Sequence, residues 1–256
     1  MALFYPGLVS VSFRPLSPTE VIAAAKGAGL SEIEWGGDVH VPSEDPAMAE
    51  TVSKLQKAAA TTCCSYGTYF RLGIDPLDRL GVCFAIAKKL GTDTVRIWAG
   101  KKGWREFSPE ERSHLEKQAA SAAEYAEKEK IVLCTECHPN TATDCPEGTL
   151  ALIGAASSPN FRTYWQPNRT LSEEENIAFA SAVSRYVRQI HVFNWSRTER
   201  FPLDEGTEQW KKYLSALGEC DPDASRHGLL LEFMPDDLLE TLPREAEGLR
   251  KILKEI

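Results

Sequence analysis

The chain switches eight times between a short apolar run and a longer amphipathic stretch, which limits it to very few architectures. The apolar runs fall at 8–13, 31–35, 62–66, 94–98, 131–136, 161–166, 187–193 and 229–233. Helices are expected between and after them at 18–28, 46–60, 76–90, 108–128, 147–156, 172–185, 207–217 and 236–254. Ser17-Pro18 with Glu20 is a strong helix start, and Ser108 with Glu111 forms a capping box. Gly27, Gly29 and Gly91 act as stops. Eight βα units either close into a barrel or stay open as a doubly wound sheet. An open dinucleotide-binding sheet needs a glycine-rich turn after its first strand, whereas this chain reads Phe13-Arg14-Pro15-Leu16 there. The expectation is therefore an α/β fold, one (β/α)8 barrel domain over residues 1–256, a length that suits a barrel of about 250 residues.

Charge narrows the partners. The formal net charge is −8, which opposes the phosphate neutralisation that nucleic-acid binding requires. Lys101, Lys102 and Arg105 form the one short basic cluster, read as a solvated loop or as a group near the substrate. The start, MALFYPGLVS, has neither a basic segment nor a long apolar one, so no signal peptide and no membrane span are expected. Seven scattered cysteines look like reduced thiols of a cytoplasmic protein. Cys134 and Cys137 form a C-x-x-C, but on a strand they face opposite sides and read as packing residues.

Barrel enzymes place their chemistry where strands end and βα loops begin. Read at that level, runs five to eight end in Glu136, Gln166, His191 and Glu232. An ionised Glu232 inside an apolar run is costly unless paired or bound to metal. Two carboxylates, an imidazole and an amide oxygen suit one divalent ion, Mn, Mg, Co or Zn. The four protein ligands together carry about −2, where an Asp in place of Gln166 would make it −3. The expectation is weaker affinity and a stronger Lewis acid. Taken singly, Glu232 could instead pair with an Arg, His191 could be a core histidine, and Gln166 could cap a loop. Aromatic residues crowd the strand ends: Phe13, Trp35, Tyr66, Trp98, Trp165, Phe193 and Trp195. They suit the C–H faces of a sugar, or else plug the rim as core.

On Glu136, His191 and Glu232 the whole chain resembles the sugar isomerase/epimerase superfamily with the xylose-isomerase-like barrel. That resemblance implies one divalent metal held by Glu, Asp, His and Glu from strands five to eight. Gln166 stands where most members have Asp. His138 resembles a substrate-contacting residue, and Arg197 an Arg that holds substrate near the metal. Trp98, Trp165, Tyr66 and Trp35 complete the expected substrate surface. The resemblance also implies a homodimer or homotetramer.

The reaction expected first is metal-dependent isomerisation or epimerisation of a sugar or sugar-like ketone through an enediolate, with Glu136 and Glu232 as base and acid. The alternative at the same site is β-elimination, a dehydratase or lyase acting on a cyclic polyol or keto-sugar. Inosose and dehydroshikimate dehydratases resemble this fold too. A further alternative is a catalytically altered, sugar-binding homologue. A multi-metal nuclease is disfavoured, because His40, His114 and His227 do not fall at the required strand ends. Met234-Pro235-Asp236-Asp237 repels a phosphate, and Arg71, Lys101 and Lys102 replace it only weakly, so an uncharged sugar-like ketone is expected.

Overall fold

Parallel neighbours cannot be joined by tight turns, so each connection must carry a helix back along the outside of the sheet. The computed structural model, which describes residues 4–218 and 220–255, shows that unit eight times. The strands are β1 (Phe4–Val9), β2 (Glu32–Gly36), β3 (Thr62–Leu72), β4 (Thr94–Ala99), β5 (Val132–Glu136), β6 (Phe161–Trp165), β7 (Val187–Val192) and β8 (His227–Leu231). The helices are α1 (Pro18–Gly27), α2 (Pro46–Ala59), α3 (Arg79–Leu90), α4 (Pro109–Glu129), α5 (Pro146–Ala156), α6 (Glu173–Val183), α7 (Thr207–Ala216) and α8 (Leu242–Lys254). Strands pair in chain order, all parallel, and β8 closes onto β1. The result is the (β/α)8 barrel read from the alternation.

Capping boxes open α1, α4 and α6, where Ser17, Ser108 and Ser172 accept the backbone N–H of Glu20, Glu111 and Glu175. Such a cap contributes about 1 kcal/mol. The first strand differs from expectation. It runs over Phe4–Val9, not 8–13, and Ser10–Phe13 is a 3-10 turn. Two causes are visible. Gly7 lets β1 lie against its neighbours, since a Cβ there would sit 2.6 Å from Leu230 Cδ2 and 2.8 Å from the Glu32 carbonyl. Ser10 then accepts the Gly36 N–H at 2.9 Å through its side chain, which ends the ladder. The last strand also stops before Glu232, and α8 begins only after a 3-10 turn at Leu239–Thr241.

The pleat divides each strand between lumen and helices. Leu8, Ile33, Val95, Ile97, Leu133, Ile190 and Leu229 join the large core shared with the helices. Val9, Val11 and Leu230 form a separate small cluster. Three residues expected at the substrate surface belong to the outer layer. Trp35 is fully buried and donates its Nε1 to Gln56 Oε1 on α2 at 3.0 Å. Trp165 is wedged against Trp210 and Tyr213 of α7, with ring centroids 6.3 and 5.2 Å away. Tyr66 is buried and donates its hydroxyl to the Val41 carbonyl at 2.8 Å. Each is the sequence neighbour of a lumen-side residue (Glu34, Gln166 and Ser65), so the pleat turns it away from the site.

The N-terminal end of the barrel is closed by charge pairs. Buried Asp221 meets Arg162 at 3.0 Å and Arg188 at 3.6 Å, and Arg226 meets Glu32 at 2.5 Å. All seven cysteines are free thiols. Among the described residues no helix is long and apolar enough to cross a membrane.

Candidate active site

Glu136 ends β5, Gln166 follows β6, His191 lies in β7, and Glu232 follows β8. Barrel closure brings these four side chains together at the C-terminal mouth. One donor atom each from Glu136, His191 and Glu232 lies within 4.8 Å of the others. His191 Nδ1 is 3.4 Å from Glu136 Oε1 and 3.5 Å from Glu232 Oε2. Gln166 donates its Nε2 to Glu136 Oε1 at 3.1 Å.

Beneath this trio lies a layer the sequence reading missed. Glu34 of β2 is fully buried and sits 3.3 Å from His191 Nε2. Its other oxygen accepts the Ser65 hydroxyl at 2.7 Å. Arg96 of β4 bridges the two carboxylates, 3.6 Å from Glu34 and 3.0 Å from Glu136 Oε2. Gly67 makes this possible, because a Cβ there would stand 2.6 Å from Arg96 Nη2 and 2.8 Å from Glu34 Oε1. Trp98 also donates its indole N–H to Glu136 Oε2. The available signal was a charged residue between two apolar neighbours in the middle of β2 and of β4.

The electrostatics separate the two mouth carboxylates. Burial works against ionising Glu136, but Arg96 and His191 outweigh it and hold its carboxyl far below the ordinary range. Glu232 lacks the direct Arg96 contact, and burial raises its pKa, with Glu136 adding to the rise and His191 opposing it. Burial disfavours the His191 imidazolium, yet Glu232, Glu34 and Glu136 overcome that and push its pKa well above the usual value.

Both ring nitrogens of His191 and Glu34 Oε1 are buried without a hydrogen bond. A ring nitrogen and two carboxylate oxygens converging on one point, with a carboxylate behind the imidazole, form a donor set for one divalent ion. Glu136, His191 and Glu232 fit that role. Gln166 would join them once its amide turns its oxygen toward the trio.

A cavity of about 220 Å³ opens above, and its lining includes Arg14, Tyr69, Trp98, Glu136, His138, Gln166, Arg169, Phe193, Trp195, Glu232 and Phe233. Pockets for drug-sized ligands measure roughly 300–1,000 Å³, so this one suits a single small ring. His138 and Trp98, both expected at the substrate, line it and stack on each other at 5.2 Å. Arg197 does not. It is exposed and donates to the Thr170 carbonyl at 2.9 Å, because its loop runs along the rim and not into the cavity. Arg14, Tyr69, Arg169 and Phe233 are cavity residues that the sequence reading did not single out. A larger apolar groove of about 480 Å³ lies outside, between Ile74, Phe107 and Leu115. It lacks a convergent donor set, and its Lys102 and Glu111 pair with each other at 2.8 Å, so the mouth is the candidate site.

The comparisons agree with this architecture. The family model for the xylose isomerase-like TIM barrel matches residues 22–224. The chain belongs to that family. It is 26% identical over 250 residues to the 3-dehydroshikimate dehydratase of Bacillus anthracis, covering 85% of this chain and 88% of the relative. The crystal structure of the probable 3-DHS dehydratase AsbF from Bacillus anthracis superposes with a TM-score of 0.78 at 20% identity, covering 98% of this chain and 99% of that one. A D-allulose 3-epimerase from Methylomonas sp. gives 0.74 at 14% identity, covering 100% and 99%.

Proposed function

We propose that the protein is a metal-dependent dehydratase that removes water from a small cyclic hydroxy-ketone bearing a carboxylate, with 3-dehydroshikimate as the candidate substrate. The observation that carries this reading is the asymmetry of the mouth. Glu136 is held by Arg96, Trp98 and Gln166 and kept strongly ionised. A proton-transfer pair acting from both faces of one carbon, the sequence expectation for Glu136 and Glu232, needs two carboxylates free to exchange protons. β-Elimination needs one base. The 26% identity to a 3-dehydroshikimate dehydratase supports the same choice. The uncharged substrate expected from the sequence gives way here to an acid.

When bound, a divalent ion held by Glu136, His191 and Glu232 would supply Lewis-acid polarisation of the substrate carbonyl. The base in this reading is His138. Its Nδ1 lies 2.7 Å from the Pro139 carbonyl, which can only accept, so Nδ1 is the donor and in the neutral ring the lone pair lies on Nε2. Stacking on Trp98 fixes the plane of the ring. His138 Nε2 takes the proton next to the ketone and returns it to the departing β-hydroxyl. One C–H and one C–O bond break, a C=C bond forms, and water leaves with His138 neutral again. From 3-dehydroshikimate the resulting doubly unsaturated ring enolises to an aromatic diol.

The test is product analysis after incubating the manganese-loaded protein with 3-dehydroshikimate. A product lighter by one water, absent with His138→Gln, is expected. A product of unchanged mass would contradict dehydration. Epimerisation is the second reading, favoured by His138 and Glu232 both lining the cavity from the segments that follow β5 and β8. It predicts an unchanged mass with solvent deuterium incorporated at one carbon.

A further inference from the structure

We propose that Arg169 is the specificity residue of the mouth and pairs with the substrate's carboxylate. The inference rests on the reading above, that a small hydroxy-ketone occupies the cavity, and adds which group on the protein selects its charge.

Five arginines line the cavity or stack on its aromatic lining, and four are already engaged; Arg71 stands 4.1 Å from the Trp98 ring centroid and donates to the Gly100 carbonyl at 2.9 Å. Arg96 bridges Glu34 and Glu136. Arg14 meets Asp38 at 2.6 Å and donates to the Tyr69 hydroxyl. Arg200 meets Asp237 at 2.6 Å and donates to the Met234 carbonyl. Arg169 lines the cavity but, among the described residues, has no carboxylate within 4.0 Å and no side-chain hydrogen bond. Its guanidinium lies 5.1 Å from the centroid of the Trp195 ring. Stacking of that kind engages the face of a guanidinium and leaves its N–H edge for a ligand.

The backbone carrying Arg169 is firmly built. Asn168 is buried, and its N–H donates to Asn176 Oδ1 at 2.7 Å. Asn176 Nδ2 donates back to the Asn168 carbonyl at 3.1 Å. Asn168 Oδ1 accepts both the Thr170 N–H and the Thr170 hydroxyl, at 3.0 and 2.8 Å. Arg197 holds the Thr170 carbonyl from outside. The residue that the sequence resemblance offered for substrate binding thus anchors the loop that presents another arginine.

Charge balance selects the ligand. Asp38 and Asp237 neutralise Arg14 and Arg200. Arg96 and a divalent ion at the trio together offset Glu34, Glu136 and Glu232. Arg71 stands over Trp98, outside the lining, so among the described residues that line the cavity Arg169 carries the uncompensated positive charge. A monoanionic carboxylate matches that charge and the planar N–H fork. A phosphate dianion would overcompensate it.

Two probes that differ only in the carboxylate test the proposal: 3,4-dihydroxybenzoate and catechol, each titrated calorimetrically into the manganese-loaded protein. Wild type should bind the acid roughly 10–100-fold more tightly, the range expected of a charge-assisted pair. Arg169→Gln should lose that preference while its catechol affinity stays unchanged, and Arg169→Lys should keep part of it. A preference surviving in Arg169→Gln, or absent in wild type, would overturn the proposal. A preference that depends on Arg169 in a protein that does not dehydrate 3-dehydroshikimate would uphold it and refute only the reaction assigned above.

Discussion

Glu34 touches no substrate, yet its position behind His191 makes it decisive for the ring. Its carboxylate stands 3.3 Å from Nε2, on the side of the ring away from Nδ1, which faces Glu136 and Glu232. Carboxylates in that position typically support metal affinity by 10–100-fold. Glu34→Gln is therefore expected to weaken manganese binding by about that factor in a chelator-competition titration with the fold intact, and unchanged affinity would show Glu34 to be structural only. A pH dependence follows from the same cluster. The His191 pKa is raised in the folded chain, so its protonated form stabilises the metal-free protein below the unfolded value, and that contribution fades as pH rises through the folded one. A metal ion must displace the proton. Affinity should rise about tenfold per pH unit while His191 stays protonated, with one proton released per ion. Calorimetry in buffers of different ionisation enthalpy measures that proton count.

At the scale of elements, strand parity decides which aromatics bind and which pack. Trp165 lies between β6 and α7, so Trp165→Ala should destabilise the fold by about 3–5 kcal/mol in urea unfolding, with ligand affinity of the remaining folded protein unchanged. A loss of affinity without a loss of stability would return Trp165 to the site. The eight units were legible because each apolar run is short and several helices mark their own ends, as Ser17, Gly91 and Ser108 do. The four residues Glu136, Gln166, His191 and Glu232 were legible because they lie at or within one residue of the ends of four consecutive strands. Glu34 and Arg96 were not, because they lie on strands two and four, where only the residues past the strand ends drew notice. Their charges cancel, so the net −2 read from the ligand set also describes the enlarged cluster. Trp35, Tyr66 and Trp165 were misplaced because nearness to a strand end was weighed above the side of the strand. Arg169 left no periodic signal, since a loop residue's direction depends on the Asn168–Asn176 bonds that hold it.

Over the whole molecule, strands from opposite sides of the barrel share one polar centre. β2, β4, β5 and β7, and Glu232 just past β8, each supply a charged or titratable group to it. An ion bound there ties these strands together and stabilises the native state by mass action, about 2.7 kcal/mol at a hundredfold excess over its dissociation constant. Thermal unfolding with and without manganese should show that gain, and the His191→Ala protein should not. The most direct measurement is metal content by plasma mass spectrometry on wild type beside His191→Ala. One equivalent of a divalent ion in wild type, lost in the variant, is the expected result. No ion in wild type after soaking, or equal amounts in both proteins, would contradict a metal centre at the mouth of the barrel.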